Sequence, residues 1–227
     1  MQNEDDAGVH ALPITVEYGD RDLTINPTVV ETDRGLVLCD VGPQGAVHGL
    51  ETHLQSLGYE LEDIWLVVLT HHDGDHAGGL SELKERADAV VATHHAEAPY
   101  VAGERDPIKG DGDRYPPVAV DIELADGVRI PTVAGPMDVV ATPGHAPGHS
   151  SLYFPDGNLL VAGDALVADG AEPLAGPKPQ FTPEMDRAVE SVGTLADLEI
   201  DHTLCYHGGY VPQGSDRIRE VYEQLRE

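Results

Sequence analysis

The sequence predicts an α/β fold: one domain, residues 1–227, in which two β-sheets face each other with helices outside, a four-layered αββα sandwich. Three observations lead there. The chain has 227 residues, 41% of them hydrophobic, enough for a full core. Its strand and helix signals fall into two successive blocks, and no linker divides them. Finally, IWLVVL at 64–69 is a continuous apolar run, short enough to be a strand buried on both faces. Two such blocks bury their apolar faces best as facing sheets with helices outside. With only one Trp, two Phe and eight Tyr, the core must be mostly Val, Leu, Ile and Ala.

The elements follow in order. β-rich runs occupy 13–18, 23–32 and 35–41. Residues 45–57 place Val47, Leu50, Leu54 and Leu57 at helical spacing. After the buried strand come a helix over 79–87, a strand over 89–93 and a short helix over 94–103. The stretch 104–118 is rich in Pro, Gly and Asp and shows no period; loops of that length are usually functional or mobile. Strand signals then crowd together at 120–124, 128–130, 138–141, 151–154 and 159–162. A second loop, 169–182, is punctuated by Pro173, Gly176, Pro177 and Pro179. The pattern predicts a helix over 183–198, N-capped by Thr182 with Pro183 in first position. A strand at 203–206 and a helix over 215–226, capped by Ser215, close the chain.

Charge is the unusual feature. There are 41 Asp plus Glu against 13 Lys plus Arg, a net charge of −28. Only Lys84, Lys109 and Lys178 are lysines. The acids are dispersed, with clusters at 20–22, 82–85, 111–113 and 220–227. Such a surface repels itself in dilute buffer and is tolerated in molar salt, where the screening length shrinks to about 3 Å. A halophilic protein of the cytoplasm is therefore expected. Nucleic acid and anionic membrane, which need basic surface, are not expected partners. The start, MQNEDDAGVH, has neither the basic nor the apolar segment of a signal peptide, and no apolar run approaches the ~20 residues that span a bilayer. Cys39 and Cys205 lie in apolar stretches and are expected as buried free thiols, with a ligand role for Cys205 left open by its closeness to His207.

The chemistry concentrates in THHDGDHAGG, residues 70–79, directly after the apolar strand. Three imidazoles and two carboxylates within eight residues are far more metal-ligand types than a solvated polar turn needs. The paired Gly78 and Gly79 let backbone pack closely behind them.

This stretch resembles the signature of the metallo-β-lactamase-like hydrolases, His-x-His-x-Asp-His followed by x-Gly-Gly. Aligned on Asp75 and His76, His71 takes the first position and Asp73 stands where the second histidine is usual. His72 should point away, because alternate residues of an extended segment face opposite sides, so replacing it should matter little. Further motifs follow in the family's order. ATPGHAPGHSSLYF offers His145 after Pro-Gly, with His149 behind it as a supporting or substrate-facing residue, or with the two assignments reversed. LLVAGDAL ends in Asp164, LCYHGG carries His207, and LVLCDVG carries Asp40, a buried carboxylate that would orient the loop. The resemblance spans nearly the whole chain and implies the αββα sandwich of the metallo-β-lactamase type.

It also implies a dinuclear site. His71, Asp73 and His145 would hold one divalent ion and Asp75, His76 and His207 the other. Asp164 would bridge them, and Asp75 would be the catalytic carboxylate as well as a ligand. Zinc is the first choice for nitrogen and oxygen ligands; Asp73 hardens the first site and brings manganese or iron into consideration. The extra carboxylate should also make a bridging water less acidic.

The implied function is a metal-dependent hydrolase that turns a metal-bridged hydroxide on a small-molecule ester, thioester or lactone. Stand-alone lactonases and glyoxalase-II-type thioesterases are the nearest members in general form. The catalytic tyrosine of some lactonases is replaced here by Ala165-Leu166-Val167, leaving Tyr153, Tyr206 or Tyr210 to substitute. The chain ends too early for the helical glutathione domain of glyoxalase II, and a secreted β-lactamase would need a signal peptide. The alternatives are a mononuclear iron sulfur dioxygenase of the same fold, an oxidoreductase, and a non-enzymatic metal-binding protein. Pocket walls are expected from 104–118 and 169–182.

Overall fold

The computed structural model describes residues 8–18, 21–109, 114–168 and 172–227. The elements run β1 (Val9–Ala11), β2 (Ile14–Tyr18), β3 (Arg21–Ile25), β4 (Thr28–Thr32), β5 (Gly35–Cys39), α1 (Val47–Leu57), β6 (Ile64–Leu69), α2 (Gly74–Ala77), α3 (Leu80–Arg86), β7 (Val90–His94), α4 (Ala98–Val101) and β8 (Ile122–Leu124). The second block holds β9 (Arg129–Thr132), β10 (Gly135–Ala141), β11 (Ser150–Phe154), β12 (Leu159–Gly163), α5 (Met185–Ala196), β13 (His202–Cys205), β14 (Gly209–Val211) and α6 (Ser215–Leu225). One six-stranded sheet has the order β1-β4-β5-β6-β7-β8 and the other β14-β13-β12-β11-β10-β9, with β2 and β3 as a separate hairpin.

The sandwich can be read from alternation along β5. Val37 and Cys39 face the second sheet, where they pack with Met137, Val139, Leu152, Phe154 and Val161. Leu36 and Leu38 face the other way, onto Val47, Leu50 and Leu54 of α1 and Leu80 and Leu83 of α3. The second sheet repeats the arrangement: Leu160, Ala162 and Cys205 pack on Val192 and Leu195 of α5 and Ile218 and Val221 of α6. Both sheets are thus covered on both faces, which is why their strands read as unbroken apolar runs rather than alternating ones.

Several expectations need correction. The run 23–32 is two strands, interrupted at Asn26-Pro27. The helix expected at 94–103 shrinks to the single turn of α4. Thr182 does not cap α5; its hydroxyl donates to the Lys178 carbonyl at 2.9 Å, and Glu184 takes the cap position. Ser215 is the first residue of α6 rather than its cap. Its Oγ accepts from Ile200 N and donates to the Leu198 carbonyl, tying the preceding loop to the helix. Gly214 caps instead, because a Cβ there would lie 1.9 Å from the Ile200 carbonyl oxygen. The acidic cluster at 111–113, Asp20, and loop residues 110–113 and 169–171 lie outside the described residues.

Candidate metal centre

The strands aim their carboxyl ends at one place. β5, β6 and β7 run parallel in the first sheet, and β12 and β13 run parallel in the second. Loops leaving the carboxyl ends of parallel strands are where α/β sheets build sites. Asp40 leaves β5, residues 70–73 leave β6, Asp164 leaves β12, and His207 leaves β13. Asp75 and His76 sit in α2, and His145 lies on the loop before β11. Gly78 and Gly79 seat this corner: a Cβ on Gly78 would be 2.3 Å from Gly74 O, and one on Gly79 would be 3.1 Å from Pro43 O.

The structure brings all seven sequence-predicted ligand residues together. His71, Asp73 and His145 form one group, Asp75, His76 and His207 a second, and His71, His76 and Asp164 a third, each with ligand atoms within 4.8 Å of one another. Asp164 reaches both sides. Its Oδ2 lies 3.3 Å from His145 Nε2, and its Oδ1 lies 3.4 Å from His76 Nε2 and 3.6 Å from His207 Nε2. Asp73 Oδ2 lies 3.3 Å from His71 Nε2 and 3.2 Å from His145 Nε2. Asp75 Oδ2 lies 3.3 Å from His207 Nε2. Its side chain is 40% exposed, against 17% or less for the others, so Asp75 faces the opening.

The buried hydrogen bonds decide which nitrogens are available. Asp40 is held at φ 62, unusual for a residue with a side chain. Its carboxylate accepts from Thr70 N at 2.8 Å, from Thr70 Oγ1 at 2.8 Å and from His76 Nδ1 at 2.8 Å. A carboxylate without a proton only accepts, so His76 carries its proton on Nδ1. Thr70 has given its hydroxyl proton to Asp40 and therefore accepts from His71 Nδ1 at 3.0 Å. Each imidazole, in its neutral form, therefore turns a bare Nε2 into the site. His71 Nε2, His76 Nε2 and Asp164 Oδ1 are buried with no hydrogen-bond partner. Three buried polar atoms converging unpaired would be costly in a site made for nothing, and two neutral imidazole nitrogens beside a carboxylate oxygen suit a cation.

The electrostatics differ between the two rings. Burial lowers the His76 pKa, but Asp40, Asp164 and Asp75 outweigh it and hold the group well above its ordinary value, so a cation bound there would displace a proton from its Nε2. Burial, and after it the neighbouring His76, holds His71 well below its ordinary pKa, so the ring stays neutral. Burial raises the Asp164 carboxyl, but His76, His207 and His145 together outweigh it and keep the group ionised.

His149 is not in any of the groups. Its Nε2 accepts from the Asp164 backbone N–H at 2.9 Å, and its Nδ1 bonds Thr142 Oγ1 at 2.8 Å. Burial, and then His145, pushes its pKa down to about 3, so it remains a neutral acceptor that positions Asp164. Gly163 before it allows the approach, since a Cβ there would lie 2.6 Å from His149 Nε2. Cys39 and Cys205 are free and buried, burial raises both thiols, and Cys205 joins none of the groups. Tyr153 donates to the Glu199 carbonyl, away from the site, and Tyr210 bonds His202. Tyr206 is the tyrosine that reaches the centre. Its ring stacks on His76 at 3.7 Å and its hydroxyl donates to the Asp75 carbonyl.

His72 points away as expected, but it is not idle, which corrects the expectation that replacing it matters little. It is fully buried, stacks on Tyr100 and donates through Nδ1 to the equally buried Glu97 carboxylate, while its Nε2 accepts from Ile108 N. Glu97 also accepts from His72 N at 2.9 Å and Gly148 N at 2.6 Å, joining the two ligand loops. Sequence reasoning missed Glu97 and also Lys109, whose ammonium lies against Asp73 and His145. Nothing local marks either residue; only their scarcity of alternatives as buried acid and as lysine could have drawn notice. The described parts of both expected wall loops do reach the site, through Ile108, Lys109 and Phe181.

Comparison with known proteins adds the family. The sequence profile described as the metallo-beta-lactamase superfamily matches residues 20–207. A probable metallo-hydrolase of Bacillus subtilis, YflN, is 35% identical over 216 residues, covering 83% of this chain and 80% of that protein. A hydroxyacylglutathione hydrolase of Cereibacter sphaeroides is 36% identical over 152 residues, covering 67% of this chain. The chain spans about half the length of that relative, 50%. A metallo-beta-lactamase family protein of Thermus thermophilus, known from its crystal structure, superposes with a TM-score of 0.76 at 24% identity, covering 97% of this chain and 80% of that one. At that identity the likeness is one of fold.

Proposed function

The chain belongs to the metallo-β-lactamase superfamily, and from that premise we propose that residues 1–227 act as a single-domain dinuclear metal-dependent hydrolase of esters, thioesters or lactones. The observation that carries the reading is the convergence of His71 Nε2, His76 Nε2 and Asp164 Oδ1, buried and unpartnered. His71, Asp73 and His145 would hold one ion; Asp75, His76 and His207 would hold the other; Asp164 would be shared. When bound, two divalent ions would supply an acidified water and a positive clamp for the oxyanion that its attack creates. Zinc suits the imidazole-rich set, and Asp73 leaves manganese or iron as alternatives.

The chain's own residues do the rest. Asp40 and Thr70 fix the tautomers of His71 and His76, and His149 fixes the backbone of Asp164. Asp75, at the opening, is placed to take the proton of an attacking water. Ile108 and Phe181, from the two wall loops, present exposed apolar surface. That combination fits a small acyl substrate. The relative named for hydroxyacylglutathione, whose acyl group sits on sulfur, keeps thioesters in the set. A panel of ester, thioester and lactone substrates, run with metal-loaded and chelator-stripped protein, tests this: metal-dependent turnover of one class is expected. No turnover of any class by loaded protein would contradict it.

The charge supports a halophilic, cytoplasmic setting as part of the same proposal. Surface pairs such as Arg86–Glu51, Arg129–Asp138 and Arg217–Glu220 use arginines, yet 13 cations cannot pair 41 acids. Among the described residues no helix is long and apolar enough to cross a membrane. Tm should rise markedly from about 0.01 M to 1 M KCl, as the screening length falls from ~30 to ~3 Å. A flat response would remove the halophilic reading and leave the fold untouched.

A further inference from the structure

Lys109 Nζ lies 2.5 Å from Asp73 Oδ2 and donates to His145 Nε2 at 2.7 Å. It also donates to the carbonyls of His145 at 3.2 Å and Phe181 at 3.1 Å. Asp73 and His145 are two of the three residues assigned to one ion. We propose that Lys109 is a tethered cation that competes with that ion, making the His71–Asp73–His145 site the weaker of the two. The inference rests on the metal-hydrolase reading above.

The competition follows from valence. An imidazole nitrogen has one in-plane lone pair. On His145 Nε2 that pair is taken by a Lys109 N–H, and it cannot serve a metal at the same time. Asp73 Oδ2 already faces the ammonium as an ion pair at 2.5 Å. Loading this side therefore means breaking the ammonium–carboxylate pair and moving Lys109 off its three hydrogen-bond acceptors. No ammonium or guanidinium stands against the other group among the described residues. Among the described residues Asp75 and Asp164 are paired only with histidines. The departure from the family signature fits the same logic. A neutral histidine at 73 would give an ammonium nothing to pair with, whereas a carboxylate does. In a chain with only three lysines, one is spent here. Lys109 also neighbours Ile108, whose N–H donates to His72 Nε2 at 3.5 Å.

The test is a Mn²⁺ titration of the metal-stripped full chain in molar KCl, with free Mn²⁺ read by electron paramagnetic resonance. The natural chain should bind in two separated steps, tight then weak. Lys109→Met should tighten the weak step by about tenfold or more and leave the tight step unchanged. Lys109→Arg, which keeps the cation, should retain the weak step. Identical isotherms for the natural chain and Lys109→Met would overturn the competition, as would a weaker second step in Lys109→Met. Absence of any Mn²⁺ binding in all three proteins is a different result, which removes the metal reading itself and the competition with it.

Discussion

Asp164→Asn is expected to lower hydrolysis at saturating metal by roughly a thousandfold, about 4 kcal/mol of transition-state stabilisation. Among the described carboxylates Asp164 is the one that pairs with histidines of both ligand groups, with Oδ2 towards His145 and Oδ1 towards His76 and His207. Asparagine keeps the size but offers one oxygen and an amide nitrogen, which repels a cation and cannot be shared. The buried carboxylate is held ionised against burial by three imidazoles, so the substitution also removes the charge that balances them. The fold should survive, because the backbone N–H of residue 164 still bonds His149. Steady-state rates with circular dichroism as the folding control decide the matter. Unchanged hydrolysis and unchanged metal content in a folded variant would show that Asp164 is not shared between ions.

His72→Ala should have the second large effect, on stability rather than chemistry. Removing the imidazole takes a hydrogen-bond donor from a buried carboxylate and leaves a cavity, at a cost of about 3–5 kcal/mol. In a chain of this size that corresponds to a fall in Tm on the order of 10 °C. Glu97 keeps its bonds from His72 N and Gly148 N but loses the imidazole, and Tyr100 loses its stacking partner. The double variant His72→Ala/Glu97→Gln should recover part of the loss, because it removes the stranded charge. A His72→Ala protein that melts with the natural one, by calorimetry in the same salt, would contradict the buried pair.

What the sequence could reveal depended on distance along the chain. His71, Asp73, Asp75 and His76 were legible because one strand end delivers them together. His145, Asp164 and His207 each stand in a weak motif and were legible only through the order of motifs in a familiar pattern. The three layers of core were legible because strands buried on both faces must be apolar throughout. Lys109 and Glu97 were not. Their partners lie 36 and 25 residues away, and neither residue type carries a direction in sequence. Thr182 and Ser215 were misread as caps because their hydroxyls prefer carbonyls and amides brought close by the fold, a choice that local pattern cannot see. The three-residue strands β1 and β14 are too short to show alternation.

The most direct test of the account is the number of ions bound at saturation. Equilibrium dialysis of the full chain against excess Zn²⁺ or Mn²⁺ in molar KCl, followed by elemental analysis, should return two ions per chain, with the count falling in Asp164→Asn. At most one ion per chain at saturation would contradict a site in which His71, Asp73 and His145 hold one metal and Asp75, His76 and His207 hold another.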